Sequence, residues 1–328
     1  MSPVTPRPGE RRYTVYGLVL TTPHRFVNRV VPTDAPADLW VRPVDAAPID
    51  PGWQVIAPAY RSDLMIDDHQ HFLDVIKAPD ATVFRFSEVV DFFVLEDGIA
   101  YQVHDVEYGF MVELHLLGYV LSYWLERAGI PALHASGVVV DEHVIGFVGD
   151  RGAGKTSLAA TMIARGYPLA TDDLLGLVPT EHGYLARPGY PQMRMWPEQA
   201  RHYLNHDRLE RVKRTMPKLR VPVGSGGFGS FDGAVRPLGA LYAPQRHDGD
   251  EVVFQNVQPG PAVFHLVRNS YLVGIVEGVG LASRRLAFLG DLVTRVPVRV
   301  VRYPNGFHLL PEIVERIAQD ARSLFRAD

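Results

Sequence analysis

The stretch Gly149-Asp150-Arg151-Gly152-Ala153-Gly154-Lys155-Thr156 decides how this chain is read. It matches the phosphate-binding pattern G-x-x-x-x-G-K-[ST]. Its glycines permit a tight turn whose backbone N–H groups converge on phosphate oxygens. A helix starting near Lys155 adds the positive end of its dipole. Lys155 then reaches the β- and γ-phosphates, and the Thr156 hydroxyl is the expected Mg²⁺ ligand. Ser157, next in the first helical turn, is grouped with the binding residues. From this chain's residue frequencies the four fixed positions would coincide by chance roughly 0.002 times per chain length. The flanks also fit. An apolar strand, Val144–Val148, leads in, and a helical pattern from Lys155 to Arg165 leads out and stops at Gly166.

Downstream, Pro168–Ala170 reads as a short strand running into Thr171-Asp172-Asp173. The aspartates follow Lys155 by 17 and 18 residues, with one helix and one strand between. A strand returning beside Val144–Val148 would carry them to the phosphate site, where open α/β sheets bind ligands. Two carboxylates there divide two tasks, coordinating Mg²⁺ and deprotonating an attacking hydroxyl. Read alone, Thr-Asp-Asp is a turn or a cap. Its place so soon after a phosphate loop favours the functional reading. Upstream, His134 precedes the strand pair Gly137–Val140 and Val144–Val148. It is a candidate to sit beside the γ-phosphate, with a structural role as the competing reading.

Further out, the mix of strands and helices after residue 131 predicts an α/β core. Residues 13–105 predict a β-rich region, with strands at Tyr13–Leu20, Leu39–Val44, Gln54–Ile56, Val83–Phe86, Phe92–Leu95 and Ala100–Val103. Leu114, Leu117, Leu121 and Leu125 recur at helical spacing, so a bracing helix over 111–127 closes that region. The domain expectation is a disordered tail over 1–12, a β-rich domain over 13–130 and a phosphate-loop domain over 131–328.

Composition bounds the function. The chain has 328 residues, 33 basic against 37 acidic, and a net charge of −4. That balance argues against a nucleic-acid partner. Cysteine is absent, which removes disulfides, thiol nucleophiles and thiolate metal sites. No apolar run is long enough for a membrane helix, and Met1–Arg12 lacks the core of a signal peptide. The expectation is a cytoplasmic protein with no membrane partner. Only Lys77, Lys155, Lys213 and Lys218 are lysines, against 29 arginines, so Lys155 stands where the motif requires a compact ammonium.

Two other segments invite a functional reading. Arg201–Arg220 holds Arg201, Arg208, Arg211, Lys213, Arg214, Lys218 and Arg220 against Asp207 and Glu210. It reads as a solvated face or as a dock for an acidic substrate or phosphates. Gly224-Ser225-Gly226-Gly227-Phe228-Gly229 reads as a lid or a flexible surface loop. Arg194 and Trp196 are candidates to touch nucleotide or substrate, with core packing as the plainer alternative for Trp196.

The runs Leu133-His134-Ala135-Ser136-Gly137-Val138, Gly149–Thr156 and Arg165-Gly166-Tyr167-Pro168-Leu169-Ala170-Thr171-Asp172-Asp173 together resemble the HPr kinase/phosphorylase family. They look most like the HPr kinase-related proteins of bacterial peptide-tailoring pathways, the lasso peptide kinases among them. The strong resemblance covers about residues 131–200, through Arg187-Pro188-Gly189-Tyr190-Pro191 and Arg194-Met195-Trp196-Pro197. It implies an α/β fold with a P-loop core of the HPr kinase and phosphoenolpyruvate-carboxykinase type, preceded by the β-rich region. It also implies ATP and Mg²⁺ as cofactors and transfer of the γ-phosphoryl group to a serine hydroxyl of a peptide or small protein. By position, Asp172 would be the base, Asp173 would join Thr156 at Mg²⁺, and His134 would line the phosphate site. A homo-oligomer is compatible with the resemblance. Thr156 stands where HPr kinases usually have serine. The Glu-Ile-Arg-Gly segment of true HPr kinases is replaced by Arg187–Pro197, which turns the expected acceptor away from HPr itself. Two other readings share these residues: a kinase of a small-molecule alcohol or nucleoside, and an ATP-binding regulatory protein.

Overall fold

The chain is a mixed α/β protein with large sheets. The structure, a computed structural model, describes residues 4–67, 69–105, 107, 109–204, 210–213 and 216–326, with the backbone alone at 210–213, 216 and 217. It divides into two compact units, residues 1–128 with 272–283, and residues 129–271 with 284–328. The single cut expected near residue 130 is therefore corrected. The chain leaves the second unit at Leu272, where Lys77 Nζ donates to the Val279 carbonyl at 3.2 Å, and re-enters it in the helix Ala282–Arg295.

The first unit carries a sheet of nine strands among the described residues. Leu39–Pro43, Thr82–Phe86, Val90–Val94 and Gly98–Val103 lie where alternating apolar residues predicted strands. Tyr13–Leu20 is corrected to a hairpin, Arg11–Val15 with Leu18–Thr22, which turns at Tyr16-Gly17. The expected strand Gln54–Ile56 is corrected to a 3₁₀ helix, Pro51–Val55. Pro51 presets its first turn, and Asp50 accepts from the Gly52 N–H at 2.8 Å.

The bracing helix runs Met111–His115 and Leu121–Arg127, with a π-helical turn at Leu116–Val120 between them. The extra residue per turn shifts the buried stripe. Leu114 is only half-buried, while Leu116, Leu117, Val120 and Leu121 are fully covered.

Residues 4–12, expected as a disordered tail, make specific contacts within this unit. Val4 pairs with Ala37, and the Glu10 carboxylate accepts from Arg42 Nε at 2.6 Å and from the Arg7 N–H at 2.9 Å. Residues 1–3 lie outside the described residues.

The second unit is built on one mixed sheet. Its strands lie in the order Ala132–Leu133, Leu175–Thr180, Gly183–Ala186, Arg236–His247, His143–Val148, Ala135–Val140, Leu169–Thr171. Val298–Pro304 runs parallel to the second half of Arg236–His247, and Val253–Asn256 pairs beyond it.

Strand alternation sends Val138, Val140, Ile145, Phe147, Ala240 and Tyr242 to one face. There they pack with Leu158, Met162 and Ile163 of helix Lys155–Ala164 and with Ile313, Val314 and Ile317 of helix Leu310–Phe325. Val139, Val144, Val148 and Leu241 face the other side. They meet Ala262 and Leu266 of helix Pro259–Arg268 and Leu289 and Leu292 of Ala282–Arg295. Each such fully covered aliphatic side chain contributes about 2 kcal/mol of burial.

Leu169–Thr171 is not the immediate neighbour of His143–Val148. Ala135–Val140 lies between and is antiparallel to both, so the two outer strands run the same way. Gly137 lies at the crossing of the three strands, where a side chain would meet Val144 and Thr171 closely. The ends of Val148, Thr171 and Pro304 consequently share one edge of the sheet.

Candidate active site

The phosphate-pattern loop leaves Val148 and enters helix Lys155–Ala164 through Gly154. Gly149, Gly152 and Gly154 have φ of 155°, 86° and 104°, conformations that favour glycine. Gly154 also has no room for a side chain, because a Cβ there would collide with the Tyr303 hydroxyl. Tyr303 ends the parallel strand Val298–Pro304 and donates to the Ala153 carbonyl at 3.2 Å. It thereby buttresses the loop from a distant strand.

Lys155 is buried and folds back across the loop, donating to the carbonyls of Gly149 at 2.5 Å and Asp150 at 3.3 Å. Burial lowers its pKa, opposed by the nearby charges of Asp173 and Asp172. Thr156 is half-buried in the first helical turn. Asp150 and Arg151 are exposed on the loop's outer side. Asp150 pairs with Arg268 at 2.9 Å, and Arg151 lies 5.8 Å from the Trp196 ring centroid. The Ser157 hydroxyl accepts from Gln199 Nε2 at 2.7 Å, so it ties the loop helix to helix Pro197–Tyr203.

Asp172 and Asp173 follow the strand Leu169–Thr171 directly. Asp172 is buried. Its Oδ1 accepts from the Ser136 hydroxyl at 2.7 Å and its Oδ2 from the Arg194 backbone N–H at 3.0 Å. Burial, reinforced by the charge of Asp173, pushes its pKa up to about 6. Asp173 takes a positive φ of 68° and forms an ion pair with Arg194 Nη1 at 3.2 Å. Burial alone would raise its pKa, but Arg194, His134, Lys218 and Lys155 outweigh that and lower it.

His134 Nδ1 donates to the Asp173 carbonyl at 3.0 Å, which leaves Nε2 unprotonated in the neutral ring. Burial lowers its pKa despite the attraction of Asp173. Its ring stands edge-on to Tyr271 at 5.4 Å.

Ser136 joins the predicted set here, beside Arg194, a candidate from the sequence, and Lys218, a member of the basic run. Ser136 sits on the strand paired with the loop's lead-in strand. Arg194 stands on Gln192–Met195, and Lys218 on the strand Met216–Pro222 that pairs with it. Arg194 is one of the two candidates to touch nucleotide or substrate that the sequence offers, and here it binds both aspartates. Ser136 carried no signal beyond its nearness to His134, and Lys218 was one member of a basic run.

That run is only partly covered: Asp207, Arg208 and Arg214 lie outside the described residues, and Glu210, Arg211 and Lys213 are backbone only. The glycine-rich segment forms a hydrogen-bonded turn, with Gly227 N–H to Gly224 O at 2.7 Å and buried Phe228 as its anchor.

Thr156 and Asp173 offer the hard oxygen donors that suit Mg²⁺. Among the described residues no group of three or more His, Asp or Glu forms a metal cage. A cation here would complete its shell with phosphate oxygens and water. Among the described residues no helix is long and apolar enough to cross a membrane.

No protein-family model and no curated protein matches the chain. Among solved structures it is similar to the Hpr(Ser) kinase/phosphatase of Coxiella burnetii, with 12% identity and a TM-score of 0.34, covering 60% of this chain and 98% of that one. A likeness that distant carries no functional weight, and the chemistry rests on the residues above.

Proposed function

We propose that the chain is an ATP- and Mg²⁺-dependent kinase that transfers the γ-phosphoryl group to a serine hydroxyl of a peptide or small protein. One observation carries this reading. A buried carboxylate with a raised pKa, Asp172, lies at the same sheet edge as the glycine loop and within the electrostatic reach of its lysine. Pure nucleotide binding needs no such base.

The loop N–H groups and Lys155 hold the phosphates. Thr156 and Asp173 would hold Mg²⁺, which supplies neutralisation of phosphate charge. Asp172 accepts the serine proton as the new serine oxygen–phosphorus bond forms. The bond from that phosphorus to the bridging oxygen breaks, and ADP leaves. Ser136 and the Arg194 N–H fix the two oxygens of Asp172, so the base is oriented before the acceptor arrives. The Arg194 guanidinium holds Asp173 ionised.

The test is incubation with γ-labelled ATP and Mg²⁺, offering precursor peptides, HPr and a metabolite extract in parallel. Label on peptide serine supports the proposal. Label only on a metabolite redirects it to a small-molecule kinase. Tight ATP binding without transferred label overturns it in favour of a regulatory protein.

A further inference from the structure

We propose that Lys218 is a second phosphate-contacting cation of this site and that it binds the terminal phosphoryl group of the nucleoside triphosphate. The inference rests on the nucleotide reading above and adds a residue to it.

The ribbon formed by Gln192–Met195 and Met216–Pro222 is antiparallel, with Arg194 opposite Arg220 and Met195 opposite Leu219. Side chains alternate across such a ribbon. Met193, Met195, Leu219 and Val221 enter the core with Phe147 and Ile163. Arg194, and by the same alternation Lys218 and Arg220, therefore stand on the opposite face. That face is fixed onto the catalytic aspartates, because the Arg194 N–H binds Asp172 and its guanidinium binds Asp173.

Lys218 belongs to the same electrostatic cluster. Its charge acts on His134, Lys155, Asp172 and Asp173 together. The other cations at the aspartates are already engaged. Lys155 donates to two loop carbonyls and Arg194 pairs with Asp173. Lys218 has no hydrogen-bond or ion-pair partner among the described residues. Its ammonium rests 5.9 Å from the ring centroid of Trp196, a half-exposed indole that Arg151 of the loop also approaches. A cation on a partly exposed aromatic face gains only a weak attraction. A charge-assisted bond to phosphate is stronger than this contact, so a terminal phosphate would draw the flexible stem off the ring. A strand-borne lysine of this kind serves the group that carries most charge during transfer.

The experiment compares binding of ADP and of a non-hydrolysable ATP analogue, with Mg²⁺, to the wild-type chain, Lys218→Met and Lys218→Arg, each checked for folding by circular dichroism. Wild type is expected to prefer the triphosphate. Lys218→Met is expected to lose about ten-fold or more of that preference while its ADP affinity stays near wild type, since only the terminal phosphate is contacted. Lys218→Arg is expected to keep most of the preference. A folded Lys218→Met with the wild-type ratio overturns the role of Lys218 and leaves the kinase reading standing. A wild-type chain that binds neither nucleotide overturns both.

Discussion

Arg194 donates its backbone N–H to Asp172 at 3.0 Å while sending its guanidinium to Asp173. A single residue thereby separates two adjacent carboxylates. Asp173 receives the full cation and is held ionised. Asp172 receives a neutral donor, is buried more deeply, and keeps a raised pKa. Pairs of acids with pKa values pushed apart divide into base and charge-holding partner.

Replacing Asp172 by asparagine preserves the shape and removes the proton acceptor. The variant is expected to bind ATP as wild type does and to transfer phosphate about 10²–10⁴-fold more slowly. Single-turnover kinetics with labelled ATP measure this. Wild-type transfer in Asp172→Asn would remove Asp172 from the base role.

A base acts when deprotonated, so transfer is expected to rise with pH through about 6 and to level off above it. Ser136 donates to the ionised form and lowers this value, against the larger opposing effect of burial. Ser136→Ala is expected to move the acid limb upward by about one pH unit. A pH–rate profile whose limb stays in place would show that Ser136 does not tune the base.

Gly154→Ala puts a methyl group against the Tyr303 hydroxyl at a φ of 104°. Nucleotide affinity is expected to fall by about ten-fold or more, because backbone strain there costs about 1–3 kcal/mol. Adding Tyr303→Phe removes the colliding oxygen but not the strain, so only part of the affinity returns. Calorimetric titration with ATP distinguishes full rescue, which would make the clash the whole effect.

In the first unit the buried Glu113 carboxylate accepts from the Val27 N–H at 2.7 Å, the Asn28 N–H at 2.8 Å and the Asn28 side chain at 2.5 Å, with His24 Nε2 at 3.1 Å. Burial pushes its pKa up, yet His24 and these donors pull it below its ordinary value. A depressed carboxylate stabilises the fold above its unfolded pKa, and that stability is lost as pH falls through the lower folded value. Glu113→Ala is expected to cost about 3 kcal/mol at neutral pH, with Glu113→Gln costing less. Urea unfolding at pH 7 and pH 4 checks both the size and the sign. Equal stability losses at the two pH values would exclude the charge as the cause.

The glycine loop, its flanking strand and helix, and the strand leading to Asp172 and Asp173 were legible along the chain because each depends on local requirements. Glycine permits φ values that other residues avoid, and apolar alternation marks a strand wherever it packs. The π-turn at Leu116–Val120 was hidden because its helical spacing differs from an ordinary helix by one residue. Tertiary structure decided the rest. It put Ala135–Val140 between the loop strand and the aspartate strand, brought Tyr303 from 149 residues downstream of Gly154 onto the loop, and laid Arg194 against the two carboxylates, with Lys218 on the neighbouring strand. Those positions follow from strand order and ribbon register, which arise only when distant segments compete to bury their apolar faces. The raised pKa of Asp172 has the same origin. Its side chain is that of any aspartate, and burial beside a second charge is what raises its pKa.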